Sequence, residues 1–162
     1  MGFDISSTGN HKTSKGEYFR NNVWWWRPLA QYIIDYTNCV SEEDAERWGY
    51  NDGHEVSEEE AKAIAKQLRH LIKTGHAKKH ENEYEKERKK AEAFNNKIEK
   101  QLNALQEKIG KEIAPKDYSE ADKKKWDDLY EKKIWGANYP FSVNNVAEFA
   151  EFCEDSRGFK IW

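Results

Sequence analysis

The residues best suited to bind a ligand are concentrated in one segment, residues 17–28, which reads EYFRNNVWWWRP. Indole rings, guanidinium groups and side-chain amides are the groups that stack on and hydrogen-bond to a nucleobase or another planar molecule. We therefore predict a ligand-binding cluster formed by Arg20, Asn21, Asn22, Trp24, Trp25, Trp26 and Arg27. The alternative is that the tryptophans belong to a large aromatic core.

The three consecutive tryptophans are not expected to share one environment. Three successive residues span about 200° of arc on a helix, and successive side chains of a strand point to opposite faces. At least one of the three indoles is therefore expected to face away from the core.

A second group of candidates lies in the segment WGYNDGH, residues 48–54. Asn51 and Asp52 would extend the ligand site if this turn faces the same pocket, with Trp48 as a wall. The alternative is ordinary turn chemistry, in which Asn and Asp side chains hydrogen-bond to nearby backbone before a glycine.

The arginines of the first segment constrain the site electrostatically. Burying Arg20 or Arg27 beside bulky apolar groups is costly unless an opposite charge compensates. We expect an inward arginine to pair with Asp52 or Glu17, or to contact an anionic ligand.

The sequence contains no motif that assigns a catalytic residue. No glycine-rich phosphate loop follows a predicted strand, and no serine lies in a nucleophile elbow. Cys39 and Cys153 lie on predicted apolar faces, which is typical of buried thiols. His76 and His80 have the spacing of a zinc protease motif but lack its glutamate, and we expect them to be solvated. We predict no metal and no cofactor, and the sequence favours a binding protein over an enzyme.

Composition limits the classes of partner. The 162 residues carry a net charge of -3, whereas general nucleic-acid binding requires a basic surface. No apolar run approaches the roughly 18 residues of a membrane span, and the first residues lack the apolar segment of a signal peptide. Two widely separated cysteines favour a reducing compartment. We expect a cytoplasmic protein that does not bind membranes.

The two ends of the sequence predict a pair of strands. Residues 2–5, GFDI, and residues 158–162, GFKIW, alternate apolar and other side chains. We expect these strands to pair antiparallel and to bring the termini together.

Helix starts are marked by local signals. Ser41 and Ser57 are each followed three residues later by an acidic residue, as in a capping box. Pro28 is tolerated only in the first turn of a helix, so the helix that ends near Cys39 is predicted to begin no earlier than about Trp24. Gly75 is predicted to end the helix that Ser57 starts.

Residues 76–134 differ in composition from the rest of the chain. They hold 16 Lys and Arg and 14 Asp and Glu, but only 5 of the 22 aromatic residues. One narrow apolar stripe repeats at helical spacing, namely Phe94, Ile98, Leu102, Leu105, Ile109 and Ile113. After Pro115 a second helix is predicted, and the pair is expected to form a helical hairpin.

These elements predict a mainly α fold of the α+β class. It would comprise a compact helical core, a two-stranded antiparallel β pair joining the termini, and a protruding helical hairpin. The aromatic-rich core would be residues 1–75 and 135–162, and the charged hairpin, residues 76–134, would be an insertion.

Four segments resemble an uncharacterised family of small bacterial and phage proteins. The segments are GFDI, GEYFRNNVWWWRPL, NDGHEVSEEEAKAIAKQL and YPFSVNNVAEFAEFCEDSRGFKIW. The resemblance covers the predicted core but not the charged hairpin, and it implies no activity. Some members carry paired cysteines in the middle region, as in a zinc ribbon, but this chain has no cysteine between residues 40 and 152.

Three functions follow from these observations and from that resemblance. The first is a non-enzymatic binding protein that holds a planar or nucleotide-like ligand at the Trp/Arg/Asn cluster, in a phage-type counter-defence setting inside the bacterial host cell. The second is an inhibitor of a host protein that acts through the helical hairpin, which is also a candidate for homo-oligomer contacts. The third is a small nucleotide hydrolase.

Overall fold

The computed structural model describes residues 2–162 and is mainly helical with one antiparallel sheet, an α+β fold as predicted. The strands in this range are β1 (Gly2–Ser7), β2 (Tyr18–Asn22), β3 (His54–Val56) and β4 (Phe159–Ile161). The α-helices in the same range are α1 (Val23–Thr37), α2 (Glu42–Arg47), α3 (Glu58–Lys73), α4 (His76–Ile109), α5 (Glu120–Tyr130) and α6 (Val143–Asp155). The chain divides into two compact units: Met1–Glu85 with Tyr139–Trp162, and Lys86–Asn138.

The sheet of the first unit has the strand order β2-β1-β4-β3, and all its pairs are antiparallel. The predicted pairing of the two terminal strands is confirmed, with Ile5 opposite Ile161. Instead of standing alone, this pair is flanked by β2 and β3. Neither flanking strand was predicted from sequence, because β3 has only three residues and β2 is largely polar.

The core of the first unit lies between the inward face of the sheet and helices α1, α3 and α6. Alternate residues of β1 and β4 are buried, including Phe3, Ile5 and Ile161. The helices contribute the residues Trp26, Leu29, Ile33, Ile64, Leu68, Val146, Phe149 and Phe152, all almost fully buried. Aromatic residues supply most of the large, fully buried side chains of this core, as the composition suggested.

Helix α1 begins one residue earlier than expected. The Asn22 side chain accepts hydrogen bonds from the backbone amides of Trp24 and Trp25, both at 3.1 Å, and the helix starts at Val23. Pro28 is therefore the sixth helical residue, just beyond the first turn. A well-capped N-terminus stabilises the helix and offsets the backbone hydrogen bond that proline removes.

The predicted starts of α2 and α3 and the predicted end of α3 are confirmed. Ser41 caps α2, and Ser57 forms a reciprocal capping box with Glu60 at the start of α3. Helix α3 ends at Lys73, and Gly75 follows in a left-handed conformation with φ +81°. Glycine adopts this conformation without the steric cost that a Cβ imposes.

In the second unit, the C-terminal part of α4 and the segment around α5 run antiparallel. Asn95 hydrogen-bonds the backbone amide and carbonyl of Ile134, both at 2.8 Å, and Glu99 pairs with Lys133. The predicted apolar stripe is most buried at Ile98 and Leu102. The second unit therefore has a small core of its own, made along the predicted helical stripe.

We predict that the first unit folds without residues 86–138. In the first unit the rings of Tyr84 and Phe141 lie 5.9 Å apart, and the Glu81 carboxylate accepts a hydrogen bond from the Val143 amide at 3.0 Å. A short Gly/Ser linker can therefore join residues 85 and 139 at little entropic cost. Circular dichroism is expected to show cooperative thermal unfolding of this deletion variant, and a broad, non-cooperative transition would contradict the prediction.

Candidate functional site

The three consecutive tryptophans face three different environments. Trp26 is completely buried, Trp25 is half-buried and Trp24 is 42% exposed. The Trp26 ring stacks on Phe3 and Trp48, at centroid distances of 5.4 and 5.8 Å, and its indole N–H donates to the Trp48 carbonyl at 2.8 Å. Trp26 and Trp48 therefore serve mainly the core, and the expectation that the tryptophans are divided between environments is confirmed.

The polar residues that precede the tryptophans are separated by the pleat of β2. Arg20 and Asn21 are consecutive strand residues, so their side chains point to opposite faces of the sheet. Arg20 lies directly opposite Asp4 on β1, and its guanidinium is 3.4 Å from that carboxylate in an exposed ion pair. The expected pairing of Arg20 with Asp52 or Glu17 is wrong, because the strand that places Arg20 beside Asp4 was not predicted.

The turn that contains Asn51 and Asp52 uses both side chains for local structure. Asp52 pairs with Arg47 at 3.2 Å and accepts a hydrogen bond from the His54 amide at 3.2 Å. The Asn51 amide donates to the backbone carbonyl of Gly2 at 2.6 Å, which ties this turn to β1. The Asp52 contacts agree with the expectation of ordinary turn chemistry, and the hydrogen bond from Asn51 to Gly2 adds a contact with a distant part of the chain.

Asn21 contributes to a small polar cleft beside α6. Its side-chain amide donates to the Asn145 side-chain carbonyl at 3.0 Å, and Asn145 is buried. The cleft has a volume of about 220 Å³ and is lined by Asn21, Trp25, Ser142, Asn144, Asn145 and Glu148. Asn22 does not reach it, because its side chain caps α1.

A larger groove lies between α1 and α2 and is called the α1–α2 groove below. It has a volume of about 340 Å³ and is lined by Arg27, Ala30, Gln31, Ile34, Ala45, Glu46, Trp48, Gly49 and Tyr50. This volume is within the range of small-molecule sites. Of the residues predicted from sequence, the groove brings together Arg27 and Trp48.

The remaining polar and aromatic residues of the groove were not predicted from sequence. Gln31 lies one helical turn after Arg27 on α1, a spacing that places the two on one face. Glu46 and Tyr50 come from α2 and the turn after it, and only the tertiary fold brings them to the groove that Arg27 lines. Helical spacing was therefore a usable signal for Gln31, but none was available for Glu46 or Tyr50.

Arg27 lies between the groove and an exposed aromatic pair. Its guanidinium donates to the Tyr139 hydroxyl at 3.3 Å and lies 5.9 Å from the centre of that ring. The Trp24 ring packs against the same tyrosine, at a centroid distance of 4.9 Å. Neither Arg27 nor Glu46 forms an ion pair with any residue in the range 2–162. The groove therefore carries a cation and an anion that residues 2–162 leave without an ion-pair partner.

His76 and His80 form an aromatic cluster with Tyr32, Tyr36 and Phe141, and the expectation that they are solvated is wrong. Helix α4 starts directly at His76, so both histidines share one face and are half-buried. The Tyr32 hydroxyl lies 2.8 Å from Nδ1 of His76, and the His80 ring is 4.8 Å from that of Tyr32. Burial raises the pKa of Tyr32 to about 12 and lowers the pKa of His80, with a further lowering by His76.

We predict that acidification weakens the fold through His80. Its pKa in the folded chain lies below the ordinary 6.5, although Glu83 and Asp35 partly oppose the shift. The unfolded chain therefore binds the proton first, and stability falls as the pH drops from 6.5 through the folded pKa. Urea denaturation at pH 7.5 and 5 is expected to show a smaller loss of stability for His80→Gln than for the wild type.

The matched control for that experiment is His70→Gln. His70 is exposed on α3, so its substitution is expected to leave the pH dependence as in the wild type. An equal pH dependence in His80→Gln and the wild type would contradict the prediction. Carboxylates whose pKa is lowered by a hydrogen-bonded cation, such as Glu81 beside Lys78 and Glu154 beside Arg69, also lose stability on acidification, but they do so in all three proteins and cancel from the comparison.

The two thiols lie in different environments. Cys153 is buried, and burial raises its pKa well above the usual value, which disfavours the thiolate. The half-buried Cys39 donates to the Thr37 carbonyl at 3.3 Å.

Within residues 2–162, no group of three or more His, Cys, Asp or Glu is placed to hold a metal ion. No helix in that range is long and apolar enough to cross a membrane.

Comparisons with protein-family models, curated proteins and solved structures find no match to this chain.

Proposed function

We propose that this chain is a non-enzymatic binding protein whose α1–α2 groove holds a small planar ligand with an anionic group, as in a nucleotide. The observation that carries the proposal is the guanidinium of Arg27, which has no carboxylate partner among residues 2–162, at a groove of about 340 Å³. By contrast, Arg20, Arg47, Arg69 and Arg157 each lie within 3.4 Å of a carboxylate of the chain. Arginine binds carboxylates and phosphates through two parallel hydrogen bonds, so an arginine that no carboxylate of the described residues engages suits an anionic ligand.

The walls of the groove suit the planar part of such a ligand. Ala30 and Ala45 leave space between the helices, and Trp48 closes its base with a buried ring. Tyr50 is 65% exposed and lines the same groove, so its ring face is available for stacking. Apolar walls with a few polar groups are the usual composition of small-molecule sites.

The biological setting of the proposal comes from the family resemblance. Small phage proteins that sequester a signalling nucleotide would act in the cytoplasm of the bacterial host. A binding protein of this kind needs no catalytic residue. We therefore propose sequestration of a host nucleotide as the counter-defence activity.

We predict that Arg27→Gln removes ligand binding without destabilising the ligand-free protein. Arg27 is exposed, and surface substitutions of this kind usually change stability by less than about 0.5 kcal/mol. Mass spectrometry of the small molecules released by heat denaturation is expected to find an aromatic anionic compound in the wild type and not in Arg27→Gln.

Arg20→Gln is the control for this prediction. Arg20 is an exposed arginine of the same segment, but it pairs with Asp4 across the sheet and does not line the groove. This variant is expected to retain both the compound and the melting temperature. Equal amounts of the compound in the wild type and Arg27→Gln would refute the site, and a compound lost from both variants would place binding elsewhere.

A specific observation favours protein binding by the second unit as a second candidate function. Tyr130, Ile134 and Trp135 expose 43%, 45% and 51% of their surface, and the Tyr130 and Trp135 rings contact each other at 5.4 Å. Exposed apolar patches with Trp and Tyr are typical of protein interfaces.

A partner protein captured by the wild type would be expected to be lost with Trp135→Ala and retained with Arg27→Gln. Light scattering of the same variants would reveal a homo-oligomer.

A further inference from the structure

We infer that the α1–α2 groove selects a guanine nucleotide over an adenine nucleotide, through the Glu46 carboxylate. This inference rests on the proposed function and specifies the ligand of the same groove. Arg27 projects from α1 and Glu46 from α2, and both line the groove. Opposite charges that share a groove without pairing can each bind a different part of one ligand.

Glu46 has no competing partner among residues 2–162. Two other acidic residues near the groove already have partners. The Asp44 carboxylate accepts a hydrogen bond from the Ser41 hydroxyl and lies 3.6 Å from the His54 ring. The Asp35 carboxylate accepts a hydrogen bond from the Gln31 side-chain amide at 2.8 Å. The Glu46 side chain is exposed on the groove side of α2. Its two oxygens are therefore available to a ligand.

The chemistry of a carboxylate determines which base it accepts. An ionised carboxylate is an acceptor only, with two oxygens that can receive parallel hydrogen bonds. Guanine presents two adjacent donors, N1–H and the N2 amino group, on its pairing edge. Adenine presents an amino group beside the N1 lone pair, which repels the second oxygen. Glu46 therefore favours guanine, while Tyr50 stacks on the base and Arg27 binds the phosphate.

The test is a calorimetric titration of the full-length protein with GMP, IMP and AMP. Wild type is expected to bind GMP at least about tenfold more tightly than AMP, because a bidentate base contact discriminates by that order. IMP, which keeps N1–H but lacks the N2 amino group, is expected to fall between them. Glu46→Gln is expected to abolish the preference, because the Gln amide keeps only one acceptor for guanine and gains a donor for N1 of adenine, so that GMP binding weakens and AMP binding is retained or strengthened.

Two further variants make the outcomes distinguishable. Glu43→Gln, an exposed carboxylate of α2 outside the groove, is the matched control and is expected to behave as the wild type. Equal affinity for GMP and AMP, or a guanine preference that survives Glu46→Gln, would overturn the inference while leaving the proposed function intact. No binding of any of the three nucleotides at millimolar concentration would also overturn the inference, whereas GMP binding that Arg27→Gln leaves unchanged would overturn the proposed function of the groove.

Discussion

Removal of residues 158–162 is expected to abolish cooperative folding. Strand β4 lies between β1 and β3, so its loss leaves both neighbours without a hydrogen-bonding partner on that side. It also removes Phe159 and Ile161, which are completely buried. Truncation of one buried Phe costs about 3–5 kcal/mol and that of one Ile about 2–5 kcal/mol. Together these losses match the total stability of a typical domain, about 5–15 kcal/mol.

The measurement is a thermal melt by circular dichroism, combined with the dispersion of amide signals in the NMR spectrum. A variant with the full-length chain, Lys160→Ala, serves as the control, because Lys160 lies on the outer face and pairs with Glu55 at 3.3 Å. It is expected to change stability by less than about 1 kcal/mol, the usual value of an exposed ion pair. A truncated protein that melts cooperatively within a few degrees of the wild type would show that β4 does not stabilise the core as its burial indicates.

The helix starts could be predicted because their signals are local. The Ser41 and Ser57 side chains bond to backbone amides three residues ahead, so each cap is fully contained in four consecutive residues. The periodicity of buried residues in α3 is likewise a property of a short segment. Such signals depend little on what the rest of the chain does.

Strands β2 and β3 could not be predicted because pairing with distant segments determines them. Residues Tyr18–Asn22 are largely polar and form a strand because β1 offers them a complete ladder. The three residues of β3 pair with β4, which lies about a hundred residues later in the chain. Short strands of this kind gain their stability from cross-strand neighbours more than from intrinsic preference.

The same non-local pairing explains why the predicted ligand cluster divides in the structure. Once β2 is a strand, alternation places Arg20 beside Asp4 on the outer face and Asn21 beside Asn145. Once α1 starts at Val23, Asn22 becomes its cap. Of the two predicted arginines, Arg27 is the one without an ion-pair partner among residues 2–162. The sequence pattern could not reveal that the neighbouring polar residues would be used for structure.

Trp26→Ala and Trp24→Ala are expected to differ by several kilocalories per mole, although the two residues lie in one run of tryptophans. The Trp26 ring is completely buried between Phe3 and Trp48, and its N–H satisfies the buried Trp48 carbonyl. Truncation of such a side chain costs about 3–5 kcal/mol, and the orphaned carbonyl adds to that cost.

Trp24 supplies the matched control, because it is 42% exposed and its principal ring contact is with Tyr139. Its truncation is expected to cost about 1 kcal/mol, the order of one aromatic pair. Trp26→Phe refines the comparison, because it keeps most of the stacking and removes the indole N–H. Chemical denaturation of the three variants is the measurement. Equal destabilisation by Trp24→Ala and Trp26→Ala would contradict the division of the tryptophans between core and surface, which leaves Trp24 and Arg27 together beside Tyr139.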